Sequence, residues 1–468
     1  MSNKIILRPY QEKWIADIRT QFRKGVKRVC GVAPCGAGKT IMTGWIIKEV
    51  VQRGKTAIFF VHRKELIEQT ADTFFKLGIP FGIIAAGHKI NYTLPVQIAS
   101  VQTLKNRLFG FPAPDLLVCD ECHHILAKTY LDIIDHWNKS LLLGVTATPV
   151  RLGGVRLGDV FQSLVIAPSV SELIKLGNLT DFTYYAPNLG LDFSGLQIQH
   201  GDYKNDDAAR LMENSKVVND VVGNYLKFAN GKSAICYCVN IEHSKILAGR
   251  FLVNGISAAH VDGDTDKDER ACIVSDFRAG KIKILCNAEL FCEGFDVPNM
   301  DAVILARPTK SLTLHIQQSM RPMRPDKNNP NKKAVILDCV DRRYLGLPDT
   351  PRLWSLDPNE EKEPEPPPLK VCPQCDAVIP LGSRICPECG YEFEWESWID
   401  GNSQLSEVLR GLNGFIQQAE NLGYKKGWAA FQSAKSASSY DDLLEIAKIV
   451  GFKKGWAWHQ WQKMKGVH

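Results

Sequence analysis

The chain has 468 residues, 45% of them hydrophobic and 23% charged, with a formal net charge of +6. That length suggests roughly three domains, and the balance excludes a fibrous or wholly disordered chain. No apolar run reaches the roughly 20 residues of a membrane span, and Met1-Ser2-Asn3-Lys4 opens no signal-peptide core. A cytoplasmic protein with no membrane partner is therefore expected. The mild positive charge permits a nucleic-acid partner without establishing one. Four of the 14 cysteines cluster between residues 372 and 389. The others are scattered, several in strand-like apolar runs where a thiol acts as a small hydrophobe, which suits a reducing compartment.

In chain order, the first element is the apolar run Val29-Cys30-Gly31-Val32, followed by Ala33-Pro34-Cys35-Gly36-Ala37-Gly38-Lys39-Thr40 and a helix-compatible stretch from Ile41 to Val51. This is a strand, a glycine-rich turn and a helix start. The backbone N–H groups of Gly36, Ala37 and Gly38 predict a phosphate cradle. Lys39 offers a charge to the outer phosphates and Thr40 a hydroxyl to Mg²⁺. The common pattern opens with Gly where this chain has Ala33.

Further strands are predicted at 56–61, 96–100, 116–119 and 141–145, and after a gap at 234–239, 258–261, 282–286, 302–305 and 334–337. Continuous apolar runs alternating with helical segments indicate parallel strands covered on both faces. The polar, strand-poor stretch near 186–230 separates two such sets, so two α/β domains in tandem are expected. Residues 357–370 are acidic and proline-rich and read as a semi-rigid linker.

Asp120-Glu121-Cys122-His123 follows the run Leu116–Cys119. Paired carboxylates at a strand's C-terminal end sit at the ligand edge of an open α/β sheet. Asp120 is suited to share the Mg²⁺ with Thr40, and Glu121 to orient and deprotonate the attacking water. Thr146-Ala147-Thr148-Pro149 follows the next apolar run.

In this order these segments resemble superfamily 2 DEAD/DEAH-box helicases, most closely the RadD-like DNA-repair helicases and their phage relatives, over about residues 5–358. The resemblance implies two RecA-like domains closing on ATP. Leu7-Arg8-Pro9-Tyr10-Gln11 is similar to the opening motif, which implies that Gln11 reads the adenine edge. The segments around Arg63 and around Ser100 and Thr103 resemble motifs that touch the nucleic-acid backbone. Ile284–Pro298 resembles the fifth motif, with Gly294 near the nucleotide, Asp296 on a ribose hydroxyl and Cys292 where the family has Thr. Gln317-Gln318-Ser319-Met320-Arg321-Pro322-Met323-Arg324 resembles the sixth motif. This implies that Arg321 and Arg324 reach the γ-phosphate, and that His123, Thr146, Thr148 and Gln317 couple the cleft to the bound strand. Met320 stands where the family has Gly, which is expected to alter the loop's backbone, with Pro322 and Pro325 compensating.

Cys372-Pro373-Gln374-Cys375 and Cys386-Pro387-Glu388-Cys389 have the spacing of a ribbon whose four thiolates hold structural Zn²⁺. Redox pairs are the alternative. Leu422-Gly423-Tyr424-Lys425-Lys426-Gly427-Trp428-Ala429 recurs as Val450-Gly451-Phe452-Lys453-Lys454-Gly455-Trp456-Ala457. Its tryptophans either build a small helical core or stack on bases.

The expected division is a RecA-like ATP-binding domain (1–168), a second RecA-like domain (169–350), a linker (351–370), a zinc module (371–396) and a helical tail (397–468). The expected activity is ATP-dependent movement on single-stranded or branched DNA, with ATP, Mg²⁺ and Zn²⁺ as cofactors and a protein partner open to the zinc module or tail. An RNA helicase, and a nucleic-acid-binding adaptor with a degenerate ATPase, are the rival readings.

Overall fold

The computed structural model describes residues 5–149, 157–199, 201–288, 300–326, 328–357 and 368–393. Gly294, Asp296, Cys292, most of the proline-rich linker and the repeated Lys-Lys-Gly-Trp segments lie outside the described residues.

The first sheet is built from β1 (Arg28–Val32), β2 (Ala57–Val61), β3 (Phe81–Ile84), β4 (Val96–Ser100), β5 (Leu116–Asp120), β6 (Leu141–Thr146) and β7 (Ser163–Ile166). Its order is β3-β4-β2-β5-β6-β1-β7, with every pairing parallel. Each residue of β2, β4 and β5 is buried. Helices cover both faces of such a sheet, which is why these strands read as unbroken apolar runs. The register sets the ligand edge: Val32 is level with Thr146, and Asp120 with Val145. The ends of β1, β5 and β6 therefore meet.

Three helices matter to that edge. α1 (Pro9–Arg23) starts with Pro9, whose missing N–H costs nothing in the first turn. The Gln11 side chain reaches back to the Arg8 N–H. α2 (Lys39–Gln52) begins directly after the glycine-rich turn. α3 (Lys64–Leu77) packs beside α2, with Phe74 edge-on to Phe59 at 5.6 Å. It ends at Gly78, whose φ of +69° suits a glycine cap.

The second sheet comprises β8 (Phe182–Tyr185), then, after a short antiparallel hairpin of β9 (Ile198–Gln199) and β10 (Asp202–Tyr203), the strands β11 (Ala234–Tyr237), β12 (Ala258–Val261), β13 (Ile284–Asn287), β14 (Ala302–Leu305) and β15 (Ala334–Asp338). Its order is β12-β13-β11-β14-β15-β8, again all parallel. The hairpin lies within the stretch near 186–230 that was expected to be poor in strands.

Both sheets belong to one compact unit. Ile316, Met320 and Met323 of the second lobe share an apolar cluster with Ala33, Ala37, Met42 and Leu66 of the first. The four cysteines belong to a separate unit. Near them β16 (Leu369–Val371) pairs with β17 (Val378–Pro380). Among the described residues no helix is long and apolar enough to cross a membrane.

Candidate nucleotide cleft and metal centre

The turn after β1 holds Gly36 at φ +82° and Gly38 at φ +85°, a region costly for any side chain. Space adds a second constraint. A Cβ on Gly38 would lie 2.6 Å from Gln11 Nε2, and one on Gly36 2.9 Å from Leu179. Ala33 has no such demand: it is fully buried, is absent from the positive-φ residues, and its N–H bonds Thr146 O at 3.0 Å. The departure from the usual opening glycine is thus accommodated.

Gln11 lies against this turn, donating from Nε2 to Ala37 O at 3.0 Å, and the Tyr10 hydroxyl donates to the same oxygen at 2.8 Å. In this state both ends of the Gln11 amide are engaged, one on α1 and one on the turn.

A cleft of about 330 Å³ opens between the lobes. The first lobe lines it with Gly36, Gly38, Lys39, Thr40, Asp120 and Glu121, the second with Gln317, Met320, Arg321 and Arg324. Its charges act on one another. Burial pushes Asp120 up to about 6, the Glu121 carboxylate adds to the rise, and Lys39 opposes it. For Lys39, burial is outweighed by the attraction of Cys35, Glu121 and Asp120, so its ammonium is held above the ordinary range. Arg324 is pulled down by burial and remains a cation. Two clustered acids, one ammonium and two guanidiniums make a site for a divalent cation carrying phosphates. The left-handed backbone and the hindered cradle fit a polyphosphate in the same place.

Glu121 itself has φ +48°, a strained value for a non-glycine residue that over-determined functional sites retain. Its N–H bonds Asp120 Oδ1 at 3.0 Å, and its Oε2 lies 3.4 Å from His123 Nδ1. His123 Nδ1 is also 3.1 Å from Thr146 Oγ1. The Thr146 hydroxyl donates to Thr148 O at 3.0 Å and accepts from Thr148 N at 3.2 Å. With its one proton committed to Thr148 O, Thr146 accepts from His123, which assigns the His123 proton to Nδ1. The Thr148 hydroxyl then donates to Thr313 Oγ1 of the second lobe at 2.9 Å. A continuous polar line therefore runs from Glu121 to the other lobe. Thr313 was not anticipated; its place four residues before Gln317 on one helical face was the available signal.

The Leu312–Ser319 helix that carries Thr313 and Gln317 is anchored from behind. His315 Nε2 lies 2.9 Å from Gly346 O, and the fully buried Arg342 donates to Gln318 Oε1 at 2.8 Å and to Arg307 O. Met320 caps this helix at φ −82°, so no glycine is needed there, and its buried side chain packs between the lobes.

Of the residues proposed to touch nucleic acid, Ser100 is buried and caps the short helix after β4, accepting from Thr103 N and donating to Thr103 Oγ1. Arg63 follows β2 at the ligand edge, its Nε donating to His62 Nε2 at 3.2 Å.

In the second unit, the Sγ atoms of Cys372, Cys375, Cys386 and Cys389 all lie within 4.8 Å of one another. Cys372 and Cys389 are 3.7 Å apart, as are Cys375 and Cys386. Tetrahedral Zn–S bonds of about 2.3 Å require S–S separations of about 3.8 Å. The cluster therefore fits the metal.

The family described as "Type III restriction enzyme, res subunit" matches residues 4–151, and "Helicase conserved C-terminal domain" matches residues 216–326. "Uncharacterised protein family UPF0547" matches residues 370–395. The chain is 38% identical to the "51.5 kDa protein" of Lactococcus phage (isolate 7-9), over 88% of this chain and 90% of that one. It is 29% identical to the "Putative ATP-dependent helicase IRC3" of Saccharomyces cerevisiae over 75% of its own length and 54% of the yeast protein. The chain thus spans about half of that relative. Its fold is similar to the Type ISP restriction-modification enzyme LlaBIII (TM-score 0.54, 16% identity), covering 72% of this chain and 28% of that one.

Proposed function

This chain belongs to the superfamily 2 helicases, ATP-hydrolysing enzymes that act on nucleic acid, and from that premise we propose that it is a DNA translocase or helicase working in DNA repair, recombination or replication. The matches to restriction-enzyme and helicase families support DNA as the polymer. The observation that carries the reading is the polar line from Glu121 through His123, Thr146 and Thr148 to Thr313, which joins the hydrolytic edge of one lobe to the other.

In this reading Lys39 and the backbone of Gly36, Ala37 and Gly38 hold the phosphates, and Gln11 holds the base. Thr40 and Asp120 would hold Mg²⁺, which supplies Lewis-acid stabilisation of the phosphate charge. Glu121 orients the attacking water and takes its proton. Arg321 and Arg324 neutralise the charge spreading over the transferred phosphoryl group, an effect commonly of about 10³–10⁵ in rate. Loss of the γ-phosphate removes the ligand that both lobes grip, and His123, Thr146, Thr148 and Gln317 pass that change to the strand-binding edge. Arg63, Ser100 and Thr103 track the backbone there, with Ser100 acting by holding the helix start. Gly294 and Asp296 lie outside the described residues and keep only the nucleoside roles that the resemblance implies. Cys372, Cys375, Cys386 and Cys389 would hold Zn²⁺, whose binding supplies folding energy to a segment too small for its own core. The five-part division at 168, 350, 370 and 396 is part of the same reading.

Steady-state ATPase measurement with single-stranded DNA, double-stranded DNA and RNA tests it. Stimulation by DNA above RNA is expected. Stimulation by RNA alone would move the substrate to RNA, and no turnover with any polymer would leave a nucleic-acid-binding adaptor.

A further inference from the structure

Each lobe contributes to the cleft one buried carboxamide atom that has no hydrogen-bond partner among the described residues: Gln69 Oε1 on α3 and Gln317 Nε2 on the Leu312–Ser319 helix. One is an acceptor and the other a donor, so their needs are complementary. A buried amide atom left without a partner costs about 1–3 kcal/mol, which a fold retains where the group is used in another state.

The placement favours a meeting across the cleft. Gln69 lines the cleft from the α3 side with Leu66, Thr70 and Thr73, next to Thr40 and Ile41 of α2. One residue away, Glu68 lies 3.9 Å from Lys267 of the second lobe, so this turn of α3 already faces that lobe. Gln317 is only 4% exposed and sits one turn beyond Thr313, which touches the first lobe through Thr148. An alternative is that Gln69 is an ordinary half-surface glutamine serving the stability of α3. However, its amide oxygen makes no bond to α3 or α2, and Thr73 uses only the Gln69 backbone carbonyl, at 3.0 Å.

We propose that Gln69 is a positioning residue for ATP hydrolysis, its Oε1 accepting from Gln317 Nε2 when the lobes close on nucleotide. This rests on the ATPase reading above. The bond holds Gln317 in the cleft and so registers the Leu312–Ser319 helix, with Arg321 just beyond its end, against the nucleotide.

The test is a double-mutant cycle in the full-length chain, with Gln69→Leu, Gln317→Leu and both together, and with Gln69→Met as an independent replacement of similar length. ATP turnover is read at saturating Mg-ATP and DNA, with KM for ATP, and thermal midpoints are read with and without a non-hydrolysable ATP analogue. Expected are a roughly fivefold or greater loss of kcat in Gln69→Leu and Gln69→Met, a KM within about twofold of wild type, and no further loss in the double mutant. The nucleotide-free midpoint should not fall, because an unsatisfied acceptor has been removed, whereas the shift on adding the analogue should shrink. A kcat within twofold of wild type in either Gln69 variant, losses that multiply in the double mutant, or a nucleotide-free midpoint that falls with activity would overturn the proposal. Wild type and Lys39→Ala run in parallel separate the two levels. An inactive wild type would sink the ATPase reading, while an active wild type with indifferent Gln69 variants would sink only this one.

Discussion

Thr148 of the first lobe donates its hydroxyl to Thr313 of the second at 2.9 Å, and it is the last link of a line that starts at Glu121. The bond ties the end of the Thr146-Ala147-Thr148 segment to the helix that carries Gln317. It lies in the part-buried interior, where a neutral hydrogen bond is worth about 0.5–1.5 kcal/mol.

Replacing either hydroxyl by a methyl, as Thr148→Val or Thr313→Val, should therefore lower DNA-stimulated ATP turnover by about three- to tenfold. The double variant should be no worse than the worse single. Multiplying losses would show that the two hydroxyls act independently.

Lys39→Ala and Glu121→Gln should both abolish turnover by different routes. The first removes a phosphate-binding charge and should weaken nucleotide binding in equilibrium titrations. The second removes the water's base, lowering kcat on the order of 10²–10⁴-fold while nucleotide still binds. Near wild-type turnover by Glu121→Gln would reassign the base.

The four thiols predict one Zn²⁺ per chain, read by elemental analysis of the purified protein. A Cys375→Ser/Cys389→Ser double variant should lose it. Because the cysteines and the cleft belong to separate compact units, ATP turnover without DNA should stay within about twofold. Zinc retained by the double variant would place the ligands elsewhere.

His315 gives stability a sensitivity to acid. Burial, reinforced by the nearby Arg342 charge, lowers its pKa to about 3 in the folded chain. In the unfolded chain it titrates near 6.5. A histidine depressed on folding binds fewer protons in the folded state, so its contribution is fully present above about pH 6.5 and is lost as pH falls toward the folded value. The slope is at most about 1.4 kcal/mol per pH unit. Thermal midpoints between pH 7 and 5 should fall less steeply in His315→Gln than in wild type. Equal slopes would assign the acid sensitivity to other groups.

The central strands were legible because each is an unbroken apolar run, the signature of burial on both faces. Within the two large sheets, three described strands were not anticipated: β3, β7 and β8, four residues each and all at sheet edges. An edge strand has one partner and partial exposure, so it carries a weaker apolar pattern.

The chemistry of the cleft was written locally. Phosphate binding needs glycines followed by Lys39 and Thr40, and metal binding needs acids at a strand end, so short segments suffice to announce them. The same holds for the four cysteines, whose spacing alone implies a ribbon. What decided the relation between Thr148 and Thr313, 165 residues apart, was packing of one lobe on the other through Ile316, Met320 and Met323. The fit of Met320 likewise depended on a backbone angle at a helix end. Gln69 belongs with them, since a buried acceptor without a donor exists only once every neighbour has been placed.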